Sequence, residues 1–162
     1  MAIQLGSELT SSLISKIRLE SSRKSNEVVF LVSVDGQGFP NVALLSFSDL
    51  VVKSPKVLLF AIGENSSSRK NLTRIRKGSL VLWGGKDFGM FYIKGRIRTL
   101  RKFMKATVEG FRCSALILRV QKVSKDYSSD AKTLSTVTFD TKRVGKGHAE
   151  VHKELRSLAE SI

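Results

Sequence analysis

Leu9, Leu13 and Ile17 recur at every fourth position, and Ile14 fills the same face. That spacing predicts an amphipathic helix over residues 7–21, with Ser7 as its N-cap and Thr10 three residues later. The pattern then changes period. Residues 27–35 (EVVFLVSVD) are rich in β-branched side chains and read as a strand. GQGFP at 36–40 is a hairpin turn by composition, 41–49 (NVALLSFSD) is the returning strand, and 53–55 is a second turn. The fully apolar run from Val57 to Ile62 makes 56–62 a buried strand. A helix to about Lys77 follows, with Gly78 as its stop. Residues 79–84 and 90–100 read as strands joined by GGKDFG, 101–108 as a short basic helix or turn, and 114–125 as a sixth strand. A polar linker at 126–132 leads to a weakly alternating stretch at 133–140. A terminal helix over 149–161 carries Val151, Leu155 and Leu158 on one face.

Consecutive strands with hairpin turns pair antiparallel, and six short strands must close or stack to protect their edges. The expected architecture is mainly β: a small six-stranded antiparallel barrel flanked by N- and C-terminal helices. At 162 residues the chain reads as a single domain over 1–162, its core about 27–125 and a C-terminal extension over 126–162.

Composition narrows the function. The longest apolar run is too short for a membrane-spanning helix. The apolar face near the N-terminus is interrupted by Lys16 and Arg18, unlike a signal peptide. One cysteine, Cys113, excludes an internal disulfide framework and points to a reducing, cytoplasmic setting. Lys plus Arg number 28 against 14 Asp plus Glu, a net charge of +14. Such a balance attracts phosphorylated ligands or polyanions.

Candidate chemistry centres on Glu64–Leu72, ENSSSRKNL. A strand, a turn with three hydroxyls, then Arg69 and Lys70 at a helix start can hold a phosphate through free backbone N–H groups, hydroxyls and cations. The same serines could simply cap the helix. Trp83 is a candidate for stacking on a ligand, although a core or interface aromatic is the commoner role. Cys113 reads as a structural thiol. His148 and His152 share a helix face but lack an evident third ligand, so no metal site is assigned. Lys94, Arg96 and Arg98 alternate on one strand face, and Arg101, Lys102 and Lys105 extend the patch. Few aromatics interleave with these charges, so nucleic acid ranks below small anions as their partner.

The order of these motifs resembles the FMN-binding split-barrel superfamily, the group of the pyridoxamine 5′-phosphate oxidases. The matching features are Gly38-Phe39-Pro40 at the hairpin, the strand after it, the Ser66–Leu72 loop-helix with its Asn71-Leu72 pair, and the strand from Met90 to Gly95. The likeness spans about 27–125. It implies that the backbone of Ala43, Leu44, Leu45 and Ser46 faces a flavin ring. It implies that Ser66, Ser68, Arg69 and Asn71, with Lys70 able to supply charge, hold the phosphate, and that Trp83 occupies a position where the oxidases often carry Trp. It also implies a homodimer with the cofactor at its interface. The oxidases carry Arg where this chain has Ala43 and Gln near Met90, and their Arg-Leu substrate segment is missing. The expectation is therefore an FMN-dependent oxidoreductase acting on a small substrate, not a true pyridoxamine phosphate oxidase. The alternatives are a non-catalytic binder of FMN, deazaflavin or haem, and a basic β-barrel that binds nucleic acid.

Overall fold

The computed structural model describes residues 2–23, 25–85, 89–128, 135–140 and 146–162. β9 (Phe111–Asp126) is the spine of the sheet. One of its edges pairs with β7 (Met90–Arg101). The other pairs first with β5 (Val57–Gly63) and then with β1 (Ala2–Gly6). β6 (Lys77–Trp83), β2 (Val28–Val34) and β3 (Pro40–Ser46) extend the sheet beyond β7, and β4 (Leu50–Ser54) lies beyond β5. All named pairings are antiparallel. β3 and β4 are consecutive in the chain yet lie at opposite ends of the hydrogen-bonded order β3-β2-β6-β7-β9-β5-β4, so the barrel is split, not closed.

The inner face carries the main core. Val29, Leu31, Phe60, Leu80, Leu82, Ile93, Leu116 and Leu118 meet there, and Leu13 and Ile17 of α1 (Ser11–Ser22) with Leu72 of α2 (Ser67–Ile75) plug it. A second cluster on the opposite face joins Leu59, Ala61, Ala115 and Ile117 to Val151, Leu155 and Leu158 of α3 (Lys146–Glu160). The apolar stripe read at 149–161 is thus the face that α3 buries.

Nine strands are present among the described residues where six were expected. β1 and the two-residue β8 (Thr107–Val108) escape notice because each is short and pairs only with the long β9. β4 was hidden because the returning strand stops at Ser46. There a 3-10 turn, Phe47–Asp49, is fixed by a capping box: Ser46 Oγ accepts from Ser48 N–H, and Asp49 Oδ2 accepts from Ser46 N–H at 2.8 Å.

Helix boundaries also shift. Thr10, not Ser7, caps α1, its Oγ1 accepting from Leu13 N–H, because Leu9 N–H is already committed to Pro55 carbonyl. Arg76, in the left-handed region, ends α2, and Gly78 belongs to β6. A Cβ at Gly78 would lie 2.8 Å from side-chain carbons of Ile97 and Leu72, so glycine serves close packing there and not a helix stop. Residues 101–108 form the end of β7, a turn and β8, with no helix. Residues 135–140 hold only an isolated bridge between Glu27 and Thr138, and 86–88 and 129–134 lie outside the described residues.

Candidate functional site

β5 ends at Gly63, and the turn after it delivers Ser66 as the N-cap of α2, its Oγ accepting from Arg69 N–H at 3.2 Å. Ser67 and Lys70 are exposed in the first turn. The earliest amides of a helix have no intrahelical acceptor, so this turn presents N–H groups, a hydroxyl and a cation together.

Arg69 points elsewhere. Its Nη2 lies 2.7 Å from Glu64 Oε1, and its Nε donates to Ser114 Oγ at 3.1 Å. Ser114 in turn donates to Glu64. Glu64 and Ser114 are buried, so the guanidinium closes a low-dielectric triad that ties the loop to β9. Lys70 therefore remains as the loop cation without a carboxylate partner among the described residues.

Ser68 and Asn71 are also buried and face the sheet. Asn41 Nδ2 donates to Ser68 Oγ at 2.7 Å, and both Asn41 and Asn71 reach Ser33 Oγ at 3.4 Å. This network brings the loop-helix and β3 together. Neither Asn41 nor Ser33 stood out in the sequence; the signal was a polar residue on each of two paired strands, Ser33 opposite Asn41.

On β3, Ala43 is half-buried, Leu45 and Ser46 are buried, and Leu44 is exposed. β3 is an edge strand, so one side of its backbone lacks a ladder partner. Ser46 N–H is already committed to Asp49. Trp83 lies apart, at the far end of β6 from α2. Lys16 Nζ sits 5.8 Å from its ring, and its buried indole N–H has no hydrogen-bond partner among the described residues. The structure thus joins the Asn41 end of β3 to 66–71, while Leu45 and Ser46 lie at the other end of that strand, the end at which Trp83 closes β6.

The basic residues fall in rows. Lys77, Arg96 and Arg119 are directly opposite one another on β6, β7 and β9, as are Lys94 and Lys122 on β7 and β9. Arg101 leaves the row to approach Glu154 at 3.7 Å. Cys113 is buried, and burial above all raises its thiol pKa, which fits a structural role.

The two histidines do different work. His148 Nδ1 lies 3.0 Å from Asp49 Oδ1, which couples α3 to the 3-10 turn. That bond raises its pKa above the ordinary 6.5, against the opposing effect of burial. His152 Nδ1 lies 3.0 Å from Ser48 carbonyl, and burial lowers its pKa. Among the described residues no group of three His, Cys, Asp or Glu side chains could hold a metal.

Linkage gives opposite signs for the pair. The His148 contribution is complete below about pH 6.5 and is lost as pH rises through its higher folded-state pKa. The His152 contribution is present above pH 6.5 and is lost as pH falls. Urea unfolding between pH 6 and pH 8, below the range in which the Cys113 thiol ionises in the unfolded chain, should therefore show a stability decline on the alkaline side that His148→Ala abolishes. An unchanged slope in the variant would show that the His148–Asp49 contact does not hold α3.

No family model matches the sequence, and no curated protein matches it. Solved structures do. A pyridoxamine 5′-phosphate oxidase candidate from Lactobacillus delbrueckii aligns with a TM-score of 0.57 at 17% identity, covering 74% of this chain and 97% of that one. An F420 reductase aligns with a TM-score of 0.51 at 12% identity, covering 66% and 96%. A haem-binding protein from Mycobacterium smegmatis aligns with a TM-score of 0.50 at 13% identity, covering 78% and 58%. At such identities the likeness concerns the fold, and this chain has the split-barrel fold of these proteins.

Proposed function

We propose that the protein binds FMN, with its phosphate at the start of α2, and acts as an oxidoreductase on a small substrate. The observation that carries this reading is the first turn of α2. Ser66, Ser67, Lys70 and unpaired amides converge there, while the carboxylate in the same loop, Glu64, is neutralised by Arg69. That donor set fits a phosphate monoester. The Asn41–Ser68 bond sets β3 beside the loop, so the outer backbone edge of residues 43–45 is available to a ring whose phosphate sits at α2. When bound, the flavin supplies the redox chemistry, and the chain supplies position and electrostatics. With Ala43 in place of a guanidinium, the substrate is not expected to be pyridoxamine phosphate.

A homodimer belongs to the same reading. Phe39, Val42 and Leu44 are 63%, 55% and 51% exposed, an apolar strip along an edge strand that a second copy would cover. The basic rows would speed the arrival of phosphorylated ligands, with attraction screened over ~10 Å at 0.1 M salt.

A second reading, a basic barrel that holds nucleic acid, rests on those rows, since like charges directly opposite one another are unfavourable without an anion between them. The visible spectrum of the purified protein separates the two. A flavin spectrum, with light scattering at twice the 17.9 kDa chain mass, is the expected result. A deazaflavin or haem spectrum would replace FMN with that cofactor. A colourless monomer that takes up no FMN, yet binds duplex DNA with a steep salt slope, would move the assignment to nucleic acid. Turnover of reduced nicotinamide with an acceptor distinguishes an enzyme from a cofactor carrier.

A further inference from the structure

α1, β4 and α3 line an open-sided cavity of about 770 Å³, within the range that small-molecule sites occupy. None of its lining residues belongs to β3 or α2, so it is separate from the proposed flavin site. Its floor is apolar: Ile17, Leu50, Val52 and Ala159 are all buried. Its rim is basic. Arg18, Lys53, His152 and Arg156 face it, against one carboxylate, Glu160. Lys53 is committed to Ala159 carbonyl at 2.7 Å. Arg18 and Arg156 have no carboxylate partner among the described residues.

His152 adds a fixed polarity. A carbonyl can only accept, so the 3.0 Å contact with Ser48 requires the proton on Nδ1 and leaves a lone pair on Nε2 of the neutral ring. Burial lowers the pKa of the ring, consistent with that neutral form.

We propose that this cavity is a second ligand site, one that takes an amphiphilic organic acid. The apolar body would lie over Ile17, Leu50 and Val52, and the acid head would meet Arg18 and Arg156. An uncharged ligand of the same body gains the floor but not the guanidinium pair, whereas an inorganic anion gains the pair but not the floor. The chemistry selects molecules that carry both, and it stands whether or not FMN binds at α2.

The test is a nuclear magnetic resonance titration of the full chain with decanoate below its micellar concentration, and with 1-decanol as the uncharged counterpart. Saturable one-site binding of decanoate is expected, shifting the amides of Ala149 and Arg156 and the Nε2 signal of His152. Decanol should bind at least tenfold more weakly. The Arg18→Gln, Arg156→Gln double variant changes two exposed side chains and should keep its melting temperature. It should lose at least tenfold in decanoate affinity while its decanol affinity stays unchanged. Equal affinity for the two probes in the wild-type chain would overturn the proposal. So would shifts confined to Val42 and Leu44 of β3, or the absence of saturation.

Discussion

Replacing Arg69 with Ala is expected to lower the free energy of unfolding by roughly 3–5 kcal/mol, the cost of removing one partner from a buried ion pair. The guanidinium is 2.7 Å from Glu64, with the two side chains only 13% and 9% exposed. Ser114, fully buried, bridges them from β9. Without Arg69 the carboxylate keeps one hydroxyl donor and loses its countercharge. It is then left as an uncompensated buried charge in a poor dielectric. Both partners can be removed more cheaply than one, so the double variant Glu64→Gln, Arg69→Met should recover much of the loss. Urea unfolding at pH 7 measures both. A loss below about 1 kcal/mol for Arg69→Ala would fall in the range of surface pairs and would return Arg69 to the list of free phosphate ligands.

That triad marks where sequence reasoning ended. Arg69 in ENSSSRKNL reads naturally as a ligand cation, because a chain of letters shows a positive residue at a helix start and not the direction of its side chain. Glu64, five residues earlier in the same turn, was the one available hint of a local partner. Its other anchor, Ser114, is 45 residues away in sequence from Arg69, and only the β5–β9 register places it there.

The strands were legible to the extent that their periodicity was uninterrupted. Val57–Ile62, buried on both faces between the main core and α3, appears as a continuous apolar run. β7 alternates cleanly between buried Phe91, Ile93 and Ile97 and exposed Lys94, Arg96 and Arg98. β4 was lost because a capping box built from Ser46 and Asp49 breaks the chain direction inside a run that still looks like strand. The split of the barrel was expected through the family resemblance alone, not through the periodicity. It depends on β3 and β4 failing to pair, a long-range fact that no local pattern encodes. The link between β3 and α2 through Asn41, Ser33 and Ser68 is of the same kind: three ordinary polar residues become a site support only when the β2–β3 hairpin and α2 pack together.

With Arg69 committed to structure, Lys70→Ala should weaken FMN binding by roughly ten- to 150-fold, equivalent to about 1.5–3 kcal/mol for a hydrogen bond to a charged group. Lys70 is exposed in the first turn of α2 and is not required to hold the fold, so unfolding should change by no more than about 0.5 kcal/mol. That contrast separates binding from stability, which an Arg69 variant cannot do. Riboflavin carries the same ring without the phosphate, so its affinity should be the same for wild-type protein and Lys70→Ala. If the phosphate instead sat elsewhere and Lys70 acted only through the general basic field, FMN binding would weaken only slightly, and the difference would vanish as salt rose above physiological strength. If Lys70 touched the ring, FMN and riboflavin would lose affinity equally. A large loss confined to FMN and retained at high salt is the pattern that a direct contact at the start of α2 requires.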